Sequence, residues 1–115
     1  MGNLANFEDF IASLVDDTTK LRINQMLAKR CDQYVPYNTG RLSQSGLTNV
    51  TPEGITYDVP YAEEQYYGIG IRHNLEHHPK ATAFWDRAMM QEQGDEVAQD
   101  IVEIIQRRAK ELYGK

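Results

Sequence analysis

Cysteine is almost absent from this chain of 115 residues, because Cys31 is the only one. An intramolecular disulfide needs two thiols and a cysteine-based zinc site needs several, so the chain can form neither. We expect Cys31 to be a small buried side chain rather than a reactive thiol. Long hydrophobic runs are also absent, since no apolar segment approaches the roughly 20 residues that span a bilayer. The sequence therefore predicts a fold held by an ordinary apolar core.

A secretory signal and an excess of positive charge are lacking too. Residues 1–9 contain no basic region followed by an apolar one, so we expect the protein to act in the cytoplasm where it is made. The 12 Lys and Arg residues are outnumbered by 17 Asp and Glu residues, which gives a net charge of −5. The nearest basic cluster, residues 107–110, ends a predicted helix, where stabilising the helix dipole is a better interpretation than phosphate contact. We therefore expect neither a sequence-specific nucleic-acid partner nor a membrane partner.

What the chain does contain is typical of one soluble globular domain over residues 1–115. Its apolar fraction is 41% and its charged fraction is 25%. Apolar side chains recur near a 3.6-residue period over residues 6–34, which predicts an N-terminal helical arm. Residues 16–19 interrupt this pattern. We interpret them as a break in one arm, the alternative being a second helix that Asp17 caps.

A second helical arm is predicted near the other end of the chain. Residues 81–113 carry an apolar stripe at helical spacing, and Gly94 and Asp95 mark a joint within it. Phe84 and Trp85, close to the start of this arm, are expected to pack in the core.

Residues 40–71 separate the two arms and are predicted to hold a small antiparallel sheet. Weak alternation predicts a strand over residues 42–50, and a returning strand over residues 55–59 follows a turn-rich connection. Two strands alone are marginally stable, so residues 69–71 are predicted as a third. The fold class is therefore α+β: an N-terminal helical arm, a small antiparallel sheet built on a hairpin, and a C-terminal helical arm packed on the sheet.

The tyrosine segment, which we define as residues 57–68, contains four tyrosines. Pro60 suits the first turn of a short helix over residues 61–67, and Gly68 suits its end. Tyrosine combines a large apolar ring with a polar tip, so such a cluster favours a surface that is half in contact with something else. A catalytic site, a ligand pocket and a docking surface are all compatible with that composition.

The three histidines fall in one stretch, which we call the histidine loop and define as residues 73–80. His73 and His77 are four residues apart, so on a helix they would lie on one face, with His78 and Glu76 as further ligands. Pro79 and the polar composition argue against a helix, and no HExxH pattern is present. A solvated loop is the favoured interpretation, and a metal-dependent hydrolase is the alternative.

Other catalytic arrangements find little support. Ser43 and Ser45 fall in a predicted strand, and no GxSxG element presents a serine nucleophile. Adjacent Glu63 and Glu64 would point in different directions on a helix, so they are a poor acid–base pair. Residues 68–70 have too few glycines for a dinucleotide loop. No set of residues that can be picked out in the sequence therefore assembles into an active site.

Three ordered segments carry a family resemblance. Residues 34–42 hold a proline–x–x–threonine–glycine–x–leucine turn, residues 59–68 a proline–tyrosine–alanine run that ends in glycine, and residues 78–88 a histidine–proline followed by an aromatic helix start. In this order and at these spacings they resemble tailed-bacteriophage minor capsid proteins and, more broadly, head–tail joining or tail-completion proteins. Residues 68–71 depart from many broader relatives, which have glycine–threonine here, so the chain is nearer to the minor capsid branch.

The resemblance implies a non-enzymatic α+β subunit of the virion at the head–tail junction, assembled in the host cytoplasm without a cofactor. Its implied partners are further copies of itself in a ring or multimer, and neighbouring head, neck and tail proteins of the phage.

Side chains that could contact such partners follow from composition. Aromatic residues and arginine are enriched at the centres of protein interfaces, and core packing is the competing role for each tyrosine. We predict an interface that includes Tyr37, Arg41, Tyr61, Tyr66, Tyr67 and Arg72. A regulatory module that docks a host protein through the same tyrosines is a further alternative.

Overall fold

The computed structural model describes Asp9, residues 12–68 and residues 75–114. Helices near both ends flank a two-stranded antiparallel sheet, so the α+β class is confirmed. In the sheet, Val50 pairs with Ile55 and Thr51 with Gly54. The elements in chain order are α1 (Asp17–Asp32), α2 (Arg41–Thr48), β1 (Val50–Thr51), β2 (Gly54–Ile55), α3 (Ala62–Tyr67) and α4 (Trp85–Tyr113).

The two long helices give the molecule an elongated shape. Its extents are 59 × 26 × 24 Å, and its radius of gyration is 17.3 Å, against about 13 Å for a compact domain of this length. Helices α1 and α4 run antiparallel and form the most extensive contact between elements, while the hairpin packs on α1. The C-terminal arm therefore packs mainly on the N-terminal arm, and not mainly on the sheet as the sequence predicted.

The predicted break in the N-terminal arm is present. Residues 12–14 are helical, residues 15 and 16 are not, and α1 begins at Asp17. Asp16, one residue before the alternative cap considered above, accepts a hydrogen bond from the Thr19 amide at 3.0 Å and thereby caps α1. Its other carboxylate oxygen accepts two hydrogen bonds from the Arg108 guanidinium, at 2.7 and 3.0 Å. One carboxylate thus starts α1 and ties it to the end of α4.

Asp16 should make the stability of the fold sensitive to acid. Hydrogen bonds from Arg108 and from the Thr19 amide lower its pKa from 3.8 to about 2. Because the pKa is lower in the folded state, this stabilisation is complete above pH 3.8 and is lost as the pH falls towards about 2. We expect urea midpoints to fall across this window, and Asp16→Asn, which keeps a cap acceptor, to flatten the fall. An unchanged pH profile in that variant would contradict this role. The fall should not vanish, since Arg22 and Arg108 also lower the pKa of Glu111.

The strand predicted over residues 42–50 is wrong, because residues 41–48 form α2. Its buried residues are Leu42, Ser43 and Gly46. Ser43 and Gly46 follow Leu42 by one and by four residues, which places all three on one side of the helix. Between its first and last apolar residues, Leu42 and Val50, the alternating positions hold only Gln44, Gly46 and Thr48, so the pattern did not indicate a buried strand face. Gly40 sets the helix entry, with a φ of +88° that favours glycine.

The remaining strand predictions are partly corrected. The returning strand predicted over residues 55–59 is reduced to β2, and its partner β1 shares only Val50 with the first predicted strand. Residues 69–71, the predicted third strand, lie outside the described residues.

The C-terminal helix begins at Trp85 rather than at residue 81. Phe84, just before it, has left-handed backbone angles (φ 51°, ψ 49°), which break the helix at that point. The predicted joint is present one residue early, since Gln93 has non-helical angles (φ −120°, ψ 17°) inside α4. Gln93 is held there by hydrogen bonds with Arg30 at 2.8 Å and Tyr34 at 3.0 Å.

The kink divides the helix pair into two regions of different character. On the side of Trp85, α1, α2, α4 and the tyrosine segment enclose the main apolar core. On the other side, ion pairs join α1 to α4, namely Arg30–Asp100 at 2.6 Å, Arg22–Glu111 at 2.9 Å and Arg108–Asp16 at 2.7 Å. The core cluster consists of Cys31, Tyr34, Val35, Leu42, Val59, Trp85, Met89 and Val97.

Candidate functional site

The tyrosine segment contains the short helix that the sequence predicted. Helix α3 covers Ala62–Tyr67 and ends at Gly68, whose left-handed conformation (φ 66°) lets its amide bond to the Glu64 carbonyl at 2.9 Å. Glu63 and Glu64 lie in its first turn, where negative charge suits the helix dipole, and both are exposed. The segment therefore contains an ordered helix, and we call α3, with the tyrosines Tyr66 and Tyr67 that it carries, the tyrosine ridge.

Tyr66 fixes this ridge to the start of α4. Its ring makes edge-to-face contacts with Phe84 at 5.2 Å and with Trp85 at 4.9 Å between centroids. Its hydroxyl donates a hydrogen bond of 2.7 Å to Asp86, and this bond to a carboxylate raises the pKa of Tyr66. Its carbonyl accepts the Phe84 amide at 2.8 Å. Tyr66 thus joins two elements that are about 20 residues apart in the chain.

Phe84 holds a strained backbone conformation at this junction. It is the one non-glycine residue with positive φ in the described ranges. A bulky residue in the left-handed region costs about 1–2 kcal/mol, which the surrounding structure must offset. Its ring contacts Tyr66 and Tyr67, and the Arg87 guanidinium carbon lies 5.1 Å from its ring centroid. These contacts hold Phe84 where it supports the ridge.

Tyr67 is the outward face of the ridge. It is 49% exposed, yet its ring makes edge contacts with Tyr66 at 5.2 Å and Phe84 at 5.7 Å. Beside it lies a mainly apolar groove of about 420 Å³. The groove is lined by Cys31, Ile55, Tyr57, Ala62, Glu63, Tyr66, Tyr67, Trp85 and Asp86.

The other residues predicted for the interface are dispersed. Tyr61 packs partly against the core cluster. The ring of Tyr37 lies 4.8 Å from that of His77 and 4.9 Å from that of His78. Arg41 is exposed at the start of α2 and forms no ion pair within the described part of the chain. Arg72 lies outside the described residues. The structure brings the rings of Tyr66 and Tyr67 into contact, whereas the ring of Tyr37 contacts the histidine loop.

Within the described part of the histidine loop, His78 is bonded to the end of α1 and is not part of a set of metal ligands. His78 bonds through Nδ1 to the Val35 carbonyl at 2.7 Å, and its Nε2 lies 3.6 Å from Asp32 Oδ2. No group of three His, Cys, Asp or Glu side chains within residues 12–68 and 75–114 is placed to hold a metal ion. His73 lies outside the described residues, so the full set predicted from the sequence is not placed.

A serine, an aspartate and a histidine do come together, in an order that does not suit nucleophilic catalysis. Ser43 is buried and donates its hydroxyl hydrogen bond to Asp32, and Asp32 stands between Ser43 and His78. A catalytic base must contact the nucleophile directly, with the carboxylate behind it. The arrangement therefore ties α2 and the histidine loop to the end of α1.

Cys31 is a core residue, as the sequence predicted. It is 4% exposed, and burial raises the pKa of its thiol to about 12. The thiolate is the reactive form of cysteine, so this side chain is poorly suited to nucleophilic chemistry.

The three motif segments converge on one place. The Thr82 amide bonds to the Tyr34 carbonyl at 3.0 Å, His78 to the Val35 carbonyl, and the Phe84 amide to the Tyr66 carbonyl. Comparison with known protein families gives a match to the family described as minor capsid protein, over residues 9–103. The chain belongs to the minor capsid protein family. The resemblance seen in the sequence is thereby confirmed.

This minor capsid protein is accordingly a structural component of a phage virion, a family role that implies no enzymatic activity. No curated protein and no solved structure matches the chain. Within the described ranges, no helix has the length and apolar character needed to cross a membrane.

Two residues of α4 and its N-terminal cap that hold the tyrosines of this minor capsid protein were not predicted from the sequence. Asp86 was not considered, although it accepts the Tyr66 hydroxyl, because nothing in the sequence links positions 66 and 86. Phe84 was expected in the core, but it is only partly buried and its ring contacts both tyrosine rings. An aromatic residue immediately before a helix start was the one available signal for it.

Proposed function

We propose that this minor capsid protein acts at the head–tail junction of a phage or prophage virion, where it docks onto neighbouring subunits through its tyrosine segment. The observation that carries the proposal is the exposed ring of Tyr67 on an ordered ridge. Tyr66 and Phe84 hold that ring in place by edge contacts. A pre-positioned aromatic side chain loses little conformational freedom on binding, which favours its use as an anchor.

The surroundings of Tyr67 support a docking role. Interfaces combine an aromatic centre with a polar rim. Here the rim contains Glu63 and Glu64, and Pro60 limits the flexibility of the chain that enters α3. The other proposed contacts, Tyr37, Tyr61, Arg41 and Arg72, would extend the interface beyond the ridge.

The place in the virion rests on the ordered motif set together with family membership. Its gene should lie among portal, capsid and tail genes. A gene remote from all three would contradict the head–tail assignment.

The docking role predicts a sharp difference between the two adjacent tyrosines. Tyr67→Ala should lower the unfolding midpoint less than Tyr66→Ala does, because the Tyr67 ring is half exposed and makes fewer contacts with the rest of the fold. It should lower the yield of infectious particles at least about tenfold, as loss of an interface anchor costs about 2 kcal/mol or more. Both quantities are measurable, by urea unfolding of the purified protein and by complementation of a phage that lacks the gene.

Two control variants make this test specific. Tyr67→Phe keeps the ring and should retain most of the particle yield. Tyr66→Ala removes a partly buried ring and its bond to Asp86, so it should destabilise the fold as well as assembly. Normal particle yield from Tyr67→Ala would contradict the docking role.

A further inference from the structure

A charged groove lies between α1 and α4, on the side of the kink away from the main core. Its volume is about 460 Å³. Helical spacing of three and four residues places its lining side chains along facing stripes of the two helices. The lining consists of Arg22, Gln25, Met26, Lys29 and Arg30 from α1, and Asp100, Glu103, Ile104 and Arg107 from α4.

Two of the four cations in this groove are already paired. Arg30 binds Asp100 at 2.6 Å, and Arg22 binds Glu111 at 2.9 Å. Lys29 and Arg107 are exposed and make no ion pair with any residue that the structure describes. The four lining cations outnumber the two lining carboxylates, and they still exceed the carboxylates by one when Glu111, the partner of Arg22, is counted. The groove therefore carries a small positive excess on a chain whose net charge is −5.

The tyrosine ridge has the opposite charge. Glu63 and Glu64 are exposed on α3 and, among the described residues, neither makes an ion pair. They line a shallow hollow of about 380 Å³ together with Pro60 and Tyr67. The ridge therefore presents an aromatic ring flanked by two carboxylates, whereas the groove presents two available cations above Met26 and the buried Ile104.

We propose that the tyrosine ridge of one copy docks into the α1–α4 groove of the next copy. Glu63 and Glu64 then face Lys29 and Arg107, and the ring of Tyr67 lies on the apolar floor. Because ridge and groove are different surfaces, the contact is heterologous, which is the kind that builds rings or filaments. The proposal rests on the docking role of the tyrosine segment and names the surface that receives it.

Charge complementarity favours a second copy over nucleic acid in this groove. Binding to a phosphate backbone usually needs many clustered cations on a protein face of net positive charge. This groove has only two uncommitted cations, and acidic side chains line it on α4. A short acidic ridge matches that limited excess, and matched charges set the partner and the register of an interface.

Charge-reversal variants of the full chain test whether the ridge of one copy binds the groove of the next. Self-association is measured by sedimentation velocity at low salt, at protein concentrations from micromolar to about 1 mM. We expect the wild-type protein to self-associate, and more weakly as salt is raised. The groove variant Lys29→Glu/Arg107→Glu and the ridge variant Glu63→Lys/Glu64→Lys should each raise the dissociation constant at least about tenfold, because like charges then meet. The matched control Lys20→Glu/Lys110→Glu makes the same change in net charge outside the groove and should associate like the wild type.

Mixing the two reversed variants provides the decisive result. Each variant alone opposes like charges, but in an equimolar mixture every ridge meets a groove of opposite charge, so association should return. Failure of the mixture to associate would overturn the proposal, as would a wild-type protein that remains monomeric at about 1 mM. A groove variant that loses binding to a short DNA duplex while self-association is unchanged would assign the groove to phosphates instead, and would also overturn it.

The particle assay separates this proposal from the docking role itself. If Tyr67→Ala blocks particle formation and Lys29→Glu/Arg107→Glu does not, the ridge docks elsewhere and the groove assignment fails. If neither affects particle formation, the docking role fails as well.

Discussion

Gly46→Ala should destabilise the protein by about 3 kcal/mol, near the upper end for overpacking a core. An ideal Cβ at position 46 would lie 2.1 Å from Tyr57 Cε1 and 2.6 Å from Tyr57 Cζ. The Tyr57 ring has little freedom to retreat, since it packs edge-on against buried Trp85 at 5.1 Å between centroids. The better helix propensity of alanine, about 1 kcal/mol, offsets only part of the clash. Urea unfolding followed by far-UV circular dichroism measures the loss.

Gly94→Ala is the matched control for this substitution. Position 94 is also in a helix, but no atom lies within 4 Å of an added Cβ. Alanine should therefore stabilise the fold there, by about 0.5–1 kcal/mol. In a Tyr57→Leu background, Gly46→Ala should cost clearly less than in the wild type, because the obstructing ring is gone. Equal effects at positions 46 and 94 would show that the predicted clash is not present.

Trp85→Ala is expected to have a comparable or larger effect, of about 3–5 kcal/mol. The indole is 3% exposed and makes edge contacts with Tyr57 and Tyr66. Since small domains are stable by only about 5–15 kcal/mol, this loss should leave the variant marginally folded. Thermal unfolding followed by circular dichroism measures it, as the substitution removes the chain's single tryptophan.

Two further variants test whether the loss of stability comes from removing the buried aromatic ring. Trp85→Phe keeps an aromatic ring in contact with both tyrosines and should cost much less than alanine. Val102→Ala, at a 53% exposed position on the same helix, should change stability by no more than about 0.5 kcal/mol. A Trp85→Ala protein as stable as the Val102→Ala protein would refute the central place of Trp85 in the core.

The sequence predicted the helices well where their signals were local. The break near Asp16, the short helix ended by Gly68 and the joint near Gly94 each follow from capping or backbone preferences of nearby residues. The strand over residues 42–50 was wrong for a non-local reason. Burial of Leu42, Ser43 and Gly46 depends on the Tyr57 ring and on α1, neither of which can be seen in the spacing of those residues alone.

In the candidate site, too, local features could be predicted from the sequence and features that depend on distant residues could not. Composition was enough to single out Tyr66 and Tyr67. It did not show that Tyr66 anchors the ridge to α4 and that Tyr67 is its exposed ring. That difference depends on Asp86 and Phe84, which meet the tyrosines only after the chain has returned from the histidine loop. The groove that we propose as the partner surface was equally hidden, since it combines residues of α1 and α4 that are about 75 positions apart.

Two kinds of stabilising interaction, apolar packing and ion pairs, hold α1 against α4 along this elongated molecule. Apolar burial, which salt hardly weakens, is centred around Trp85 and extends past the kink through Val97 and Ile104. The ion pairs between the start of α1 and the end of α4 add a contribution that salt screens. Ionic strength should therefore affect the two regions of the molecule differently. We expect salt to weaken the contact between the start of α1 and the end of α4 more than the core around Trp85.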